Sequence, residues 1–163
     1  MESKELSEAQ KATSAALKFL AARPRSVSEM VKKLKLKEYP AAVIEEAVET
    51  LKKQGLLDDE KFAKTFVNSS VYSRSAGTRK LKFDLKQKGV SQEIIERAIG
   101  GLQDTDETEM ARELVAKRYH LMTGVSEEAK KRRIFGFLQR RGFSSEVIFK
   151  VLSLRGSEGD EAI

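Results

Sequence analysis

The chain has 163 residues, 40% hydrophobic and 34% charged, which is about one domain with enough apolar material for a modest core. It has no cysteine and one histidine, His120, which excludes disulfides, thiolate metal sites, cysteine nucleophiles and an all-histidine metal site. No run approaches the roughly 18 apolar residues of a spanning helix. The opening Met1-Glu2-Ser3-Lys4-Glu5 has neither an apolar stretch nor a small-residue cleavage site, so a cytoplasmic chain without a secretory signal is expected.

Apolar residues recur at helical spacing from end to end. Ile44, Val48 and Leu51 form one stripe, Ile94, Ile95, Ala98 and Ile99 a second, and Val147, Ile148, Val151 and Leu152 a third. The two prolines, Pro24 and Pro40, fall between such segments, where they interrupt no helix. No strand–turn–strand pattern competes. The spacing predicts nine helices and an all-α chain.

An internal repeat groups these helices in threes. The segment Leu85-Lys86-Gln87-Lys88-Gly89-Val90-Ser91-Gln92-Glu93-Ile94-Ile95 returns as Leu138-Gln139-Arg140-Arg141-Gly142-Phe143-Ser144-Ser145-Glu146-Val147-Ile148. Each copy reads as a basic helix end, a glycine in the left-handed conformation, an apolar residue, and a serine that caps the next helix. A degenerate copy, Leu34 to Ile44, has Pro40 in place of the serine, and proline is tolerated at a helix start. The expected organisation is repeat one over 7–57, repeat two over 58–103, repeat three over 105–154 and a disordered tail over 155–163. Three helices bury little, so neighbouring repeats should support one another in an elongated, curved helical protein.

Between repeats one and two, Gly55 ends a helix and Asp58 caps the next, with Asp59 and Glu60 in its first turn. Capping explains these acids better than a paired-carboxylate active site, because no partner acid or histidine is placed beside them in sequence.

The net charge is +6, and its distribution says more than its sign. At about 100° per residue, Arg79, Lys82 and Lys86 share the helix side opposite Leu81 and Leu85. Arg74 extends the stripe, and only Asp84 interrupts it. Stacked cations repel, and a polyanionic partner relieves that cost. A second concentration runs from Lys130, Lys131, Arg132 and Arg133 to Arg140 and Arg141. These residues, with Lys88, are the candidate contacts to nucleic acid or to a filament built on it. Lys88 and Arg141 lie nearer the apolar side, where their stems can cover core. Phe83, beside the basic face, is expected to pack on a neighbouring repeat, with base stacking as the alternative. Tyr39, Tyr72 and Tyr119 are too widely spaced to form a stacking platform. His120 reads as a helix C-terminal dipole partner. No phosphate loop, zinc ligand set or acidic metal cluster is present in the sequence, and no cofactor is expected.

Three segments resemble the RecX family. Gly55-Leu56-Leu57-Asp58-Asp59-Glu60-Lys61-Phe62-Ala63 is similar to that family's junction between repeats one and two. Gly77, Arg79, Leu81, Leu85, Lys88 and Gly89 match its second-repeat spacing, and Arg140-Arg141-Gly142-Phe143-Ser144 its third-repeat end. Leu81 stands where the family often has isoleucine, and the middle helix of the first repeat, Val27 to Lys37, is less regular than usual. The resemblance implies a non-enzymatic, monomeric regulator of the recombinase RecA. It would bind RecA filaments on single-stranded DNA and restrain ATP hydrolysis, strand exchange and coprotease activity. DNA contact would be non-specific, with no membrane partner, in the setting of DNA repair, homologous recombination and the SOS response. The alternative is a free-standing DNA-binding protein of helix-turn-helix-like units. It lacks an obvious base-reading helix.

Overall fold

The structure, a computed structural model, describes residues 6–73, 76–102 and 104–158. Among the described residues the backbone forms nine helices and no strand: α1 Glu8–Ala22, α2 Val27–Lys35, α3 Ala41–Lys53, α4 Asp59–Ser73, α5 Thr78–Gln87, α6 Gln92–Ile99, α7 Asp104–Tyr119, α8 Glu127–Arg140 and α9 Ser145–Glu158. The last helix continues past Leu154, where the repeat pattern ends. The rest of the expected tail, 159–163, lies outside the described residues.

Helix starts follow local chemistry. Ser7 with Gln10, and Ser26 with Glu29, form reciprocal capping boxes. Asp58 Oδ1 accepts the Glu60 and Lys61 N–H groups at 2.8 and 3.1 Å, as a cap should. The repeated serines act alike: Ser91 Oγ accepts the Ile94 N–H and Ser144 Oγ the Val147 N–H. Pro40 holds the N-cap position of α3 without a side-chain bond.

The described residues fall into two compact bodies. The first is drawn from Met1–Thr65 and Leu85–Ile95. Its core is Ala12 and Ala16 of α1, Met30 and Leu34 of α2, Ile44, Ala47, Val48 and Leu51 of α3, and Leu57. Each buried leucine contributes roughly 1.5–3 kcal/mol. The start of α2 is closed by the end of α5: Ser26 Oγ donates to the Lys88 carbonyl at 2.5 Å. Gly89 has φ +76, and a Cβ there would lie 2.3 Å from Ser28 Cβ. Asp59 Oδ1 accepts the Val27 N–H at 2.8 Å. Burial raises the Asp59 pKa, and that hydrogen bond opposes the rise.

The second body is drawn from Phe66–Asp84 and Glu96–Ile163. Its core joins Met110, Ala111 and Val115 of α7, Ile134 and Leu138 of α8, Phe143, and Val147, Ile148 and Val151 of α9. Here the start of α5 meets the end of α8. The Gly77 N–H donates to the Arg141 carbonyl at 2.8 Å and the Arg79 N–H to the Gly142 carbonyl at 3.1 Å. The buried Glu107 carboxylate accepts both the Thr78 N–H, at 3.1 Å, and the Thr78 hydroxyl. Gly142 has φ +80, and a Cβ there would lie 2.4 Å from the Lys80 backbone nitrogen. Both repeat glycines thus have the expected left-handed conformation and a close approach besides. The matching residue of the degenerate copy is Glu38, which has φ +63. The turn geometry recurs there without the glycine.

These contacts make the two glycines differ in how they respond to change. Gly89→Ala destabilises by about 2 kcal/mol or more, and Ser28→Gly recovers part of the loss, because the clash is with a side chain. Gly142→Ala costs at least as much and is not recovered by truncating Lys80, because the clash is with backbone. Denaturant midpoints of the single and double variants check both statements.

Glu29 ties the α2 start to its surroundings. Its carboxylate accepts the Ser26 N–H at 3.2 Å and pairs with Arg23 at 3.0 Å and Lys88 at 3.3 Å. Burial pushes its pKa up, but Arg23, the Ser26 N–H and Lys88 together outweigh burial and hold it at about 2, below the ordinary 4.5. A carboxylate depressed on folding stabilises the native state above its unfolded pKa and loses that contribution as pH falls through the folded value. Stability should therefore drop between 4.5 and about 2. Glu29→Gln should cost about 1 kcal/mol at neutral pH and flatten that part of the profile, measured by denaturation at stepped pH.

Candidate nucleic-acid interface

The cations of α5 do not form one unpaired stripe. Arg79 and Lys86 are exposed, and neither pairs with a carboxylate among the described residues. Lys82 is different: its ammonium lies 2.8 Å from Glu96 of α6. Lys80 and Asp84 pair along the helix at 3.1 Å. The expectation that this face lacks counter-charges is corrected at Lys82, because folding brings up a carboxylate from the next helix. Lys88 is also paired, to Glu29, with its side chain 27% exposed. Exposed pairs such as Lys82–Glu96 are weak, at about 0–1 kcal/mol, and can exchange for a phosphate. Lys88 is held by partly buried contacts. Arg74 lies outside the described residues. Phe83 is 60% exposed, so most of its surface is left uncovered, against the expectation that it packs on a neighbouring repeat. Helical periodicity turns it away from Leu81 and Leu85, towards the side of Arg79 and Lys86.

On α8 two of the cations are already engaged. Lys130 turns back to Glu127 at 2.7 Å and lies over the Tyr119 ring at 4.7 Å. The Lys130 ammonium, with the Tyr119 hydroxyl, holds the Glu127 carboxyl below its ordinary pKa. Arg141 lies over the Phe137 ring at 5.1 Å, and its carbonyl receives the Gly77 N–H. Lys131, Arg132, Arg133 and Arg140 remain exposed. Ile134 and Leu138 hold the side of the helix away from Arg132, Arg133 and Arg140 in the core.

Arg132, Arg133 and Arg140 converge with Arg118, from the last turn of α7, on an open depression of about 460 Å³. Leu121, Met122 and Gly136 complete its lining, which contains no carboxylate. None of the four arginines pairs with an acid among the described residues. Arg118 lies over the Phe137 ring at 4.5 Å, which positions its guanidinium without neutralising it. Gly136 is the floor: a Cβ there would come 3.2 Å from Arg140 Nη1. Four guanidiniums around one concavity repel one another and present planar, multidentate donors, which is the chemistry that binds phosphate. The spacing Arg132, Arg133, Gly136, Arg140 marks one helix face and was readable in the sequence. The arrival of Arg118 was not, because it depends on how α7 packs on α8.

Elsewhere the polar residues have structural work. Asp58 and Asp59 cap and brace backbone N–H groups. His120 is exposed in the turn after α7. Among the described residues no group of His, Asp or Glu is arranged to hold a metal ion, and no helix is long and apolar enough to cross a membrane.

A glycine inside a helix costs up to about 1 kcal/mol relative to alanine. Gly136→Ala should therefore stabilise the protein by up to that amount, since the crowding falls on the movable tip of Arg140. Thermal denaturation of the variant beside the parent checks the sign.

Sequence models of the three RecX three-helix domains match in order: the first over residues 12–51, the second over 58–99 and the third over 104–152. The chain is 32% identical to the regulatory protein RecX of Thermobifida fusca, over 83% of this chain and 74% of that protein. It is 35% identical to the regulatory protein RecX of Trichlorobacter lovleyi, over 82% of this chain and 88% of that protein. Among solved structures, RecX from Lactobacillus salivarius superposes with a TM-score of 0.80 at 25% identity, covering 90% of this chain and 95% of that one. A second crystal structure of a regulatory protein RecX gives 0.79 at 27% identity, covering 93% and 81%. With three domain models in register, helices that follow the same plan and identity sustained over most of both chains, the chain belongs to the RecX family of regulatory proteins.

Proposed function

We propose that this protein regulates RecA by binding the filament that RecA forms on single-stranded DNA, and that it thereby inhibits ATP hydrolysis, strand exchange and coprotease activity. It acts by binding and catalyses no reaction itself. Family membership supports the regulatory role. The observation that carries the contact to DNA is the arginine depression of the third repeat, where Arg118, Arg132, Arg133 and Arg140 meet without a carboxylate. Arg79 and Lys86 of α5 are secondary phosphate contacts. Lys82 and Lys130 join them by exchanging a surface acid for a phosphate. In this reading the protein is a cytoplasmic monomer that contacts the DNA backbone without sequence preference, and its partner is the RecA nucleoprotein filament.

The test is inhibition of RecA's DNA-dependent ATPase by the combined variant Arg132→Ala, Arg133→Ala, Arg140→Ala. All three side chains are exposed, so the variant folds. Inhibition should weaken at least tenfold. The slope of log affinity against log salt should flatten by about 0.7 for each single-strand phosphate that is no longer neutralised. Gly136→Glu, which places a carboxylate in the depression, should weaken inhibition more than Gly136→Gln. A folded triple variant that inhibits as well as the parent refutes the depression's role. Equal inhibition with an unchanged salt slope assigns the regulatory contact to protein surfaces elsewhere.

A further inference from the structure

A second surface lies on the other flank of α8. Phe135 of α8 and Phe149 of α9 face each other with ring centroids 5.5 Å apart and planes inclined at 49°. Phe149 is 62% exposed. Val147, Ile148 and Val151 take the core side of α9, which by helical spacing leaves Phe149 and Lys150 to the outside. The two rings lie in an open groove of about 610 Å³, with Lys131, Arg132, Lys150, Leu152 and Ser153. Three cations border the rings, and no carboxylate lines the groove. Arg132 lines both this groove and the arginine depression.

An exposed phenylalanine ring leaves apolar area in water, at a cost that a ligand stacked on it would relieve. Its surroundings select the occupant. An apolar peptide would meet three charged heads around a small apolar floor. A nucleotide has a flat apolar face for the ring and a phosphate for each neighbouring cation. Shared lining through Arg132 links the ring pair to a phosphate cradle. We infer that the α8–α9 groove is a stacking site for unpaired bases of single-stranded nucleic acid, with a base on Phe149, Phe135 behind it and the flanking phosphates on Lys131, Arg132 and Lys150. The inference deepens the reading that the third repeat contacts DNA and rests on it. Stacking on an aromatic ring is tolerant of sequence, so this site adds preference for single strands over duplex without base specificity.

The experiment compares a labelled oligothymidylate of about 16 nucleotides with an abasic strand of the same length, by fluorescence anisotropy on the full chain. The parent should bind the thymidylate roughly tenfold more tightly than the abasic strand. Phe149→Ala should erase that difference and leave abasic binding unchanged. Because the chain has no tryptophan, Phe149→Trp supplies a single reporter, which thymidylate should quench and the abasic strand should not. The Arg132, Arg133 and Arg140 alanine variant should weaken both strands by a similar factor. Equal binding of the two strands by the parent, or discrimination that survives Phe149→Ala, overturns the stacking site alone. Failure of the parent to bind either strand overturns both this site and the DNA contact beneath it. Loss of RecA filament binding in Phe149→Ala with both strands still bound as in the parent assigns the groove to protein and overturns the inference.

Discussion

The carbonyls at the end of a helix have no partner within it, and the N–H groups at the start of a helix have the same deficit. In this protein the two deficits are set against each other. The end of α8 presents the Arg141 and Gly142 carbonyls to the Gly77 and Arg79 N–H groups at the start of α5. At the end of α5 the Lys88 carbonyl is satisfied instead by a side chain, the hydroxyl of Ser26 that caps α2. At each corner a left-handed glycine brings backbone against backbone or against a short side chain, closer than any Cβ would allow. The three-helix cores are small, so these corners add cohesion that hydrophobic burial alone would not supply.

The same corners organise the charge. Ending α5 and α8 in basic residues suits the helix dipole, and it places Lys88 and Arg141 where the chain needs them structurally. Lys88 is anchored by Glu29, and Arg141 lies over Phe137. Beyond the corners, Lys82 and Lys130 pair with surface acids and Arg118 lies over Phe137, while Lys131, Arg132, Arg133 and Arg140 are exposed. On α8 they divide around the helix: Arg133 and Arg140 join Arg118 on one flank, Lys131 borders Phe135 and Phe149 on the other, and Arg132 serves both. Mutual repulsion is tolerated at such a surface only because water and salt screen it, and a phosphate would relieve it directly.

Much was legible in the residues alone. Helical spacing, serine caps and glycines predicted nine helices, and the described residues contain them. Asp58 could be read as a cap because its acceptor oxygen serves N–H groups two and three residues away. Glu38 shows the limit of that logic. Its left-handed φ of +63 follows from its place in the repeat and would not be guessed from its residue type.

Local sequence therefore settled most of what depends on neighbours within about one helical turn: helix type, the serine and aspartate caps, and which face of each helix is charged. The left-handed turn at Glu38 and the run of α9 past Leu154 were not legible in it. Which charges remain free was decided only on folding. Glu96 reaches Lys82, and Glu29 reaches Lys88, across separations in sequence that no helical period describes. Arg118 and Arg140 share a depression for the same reason, as do Phe135 and Phe149 a groove. Helical periodicity sets the direction in which a side chain leaves its own helix. The packing of one helix on another decides what it meets there, because that depends on core side chains whose fit is a property of the whole fold.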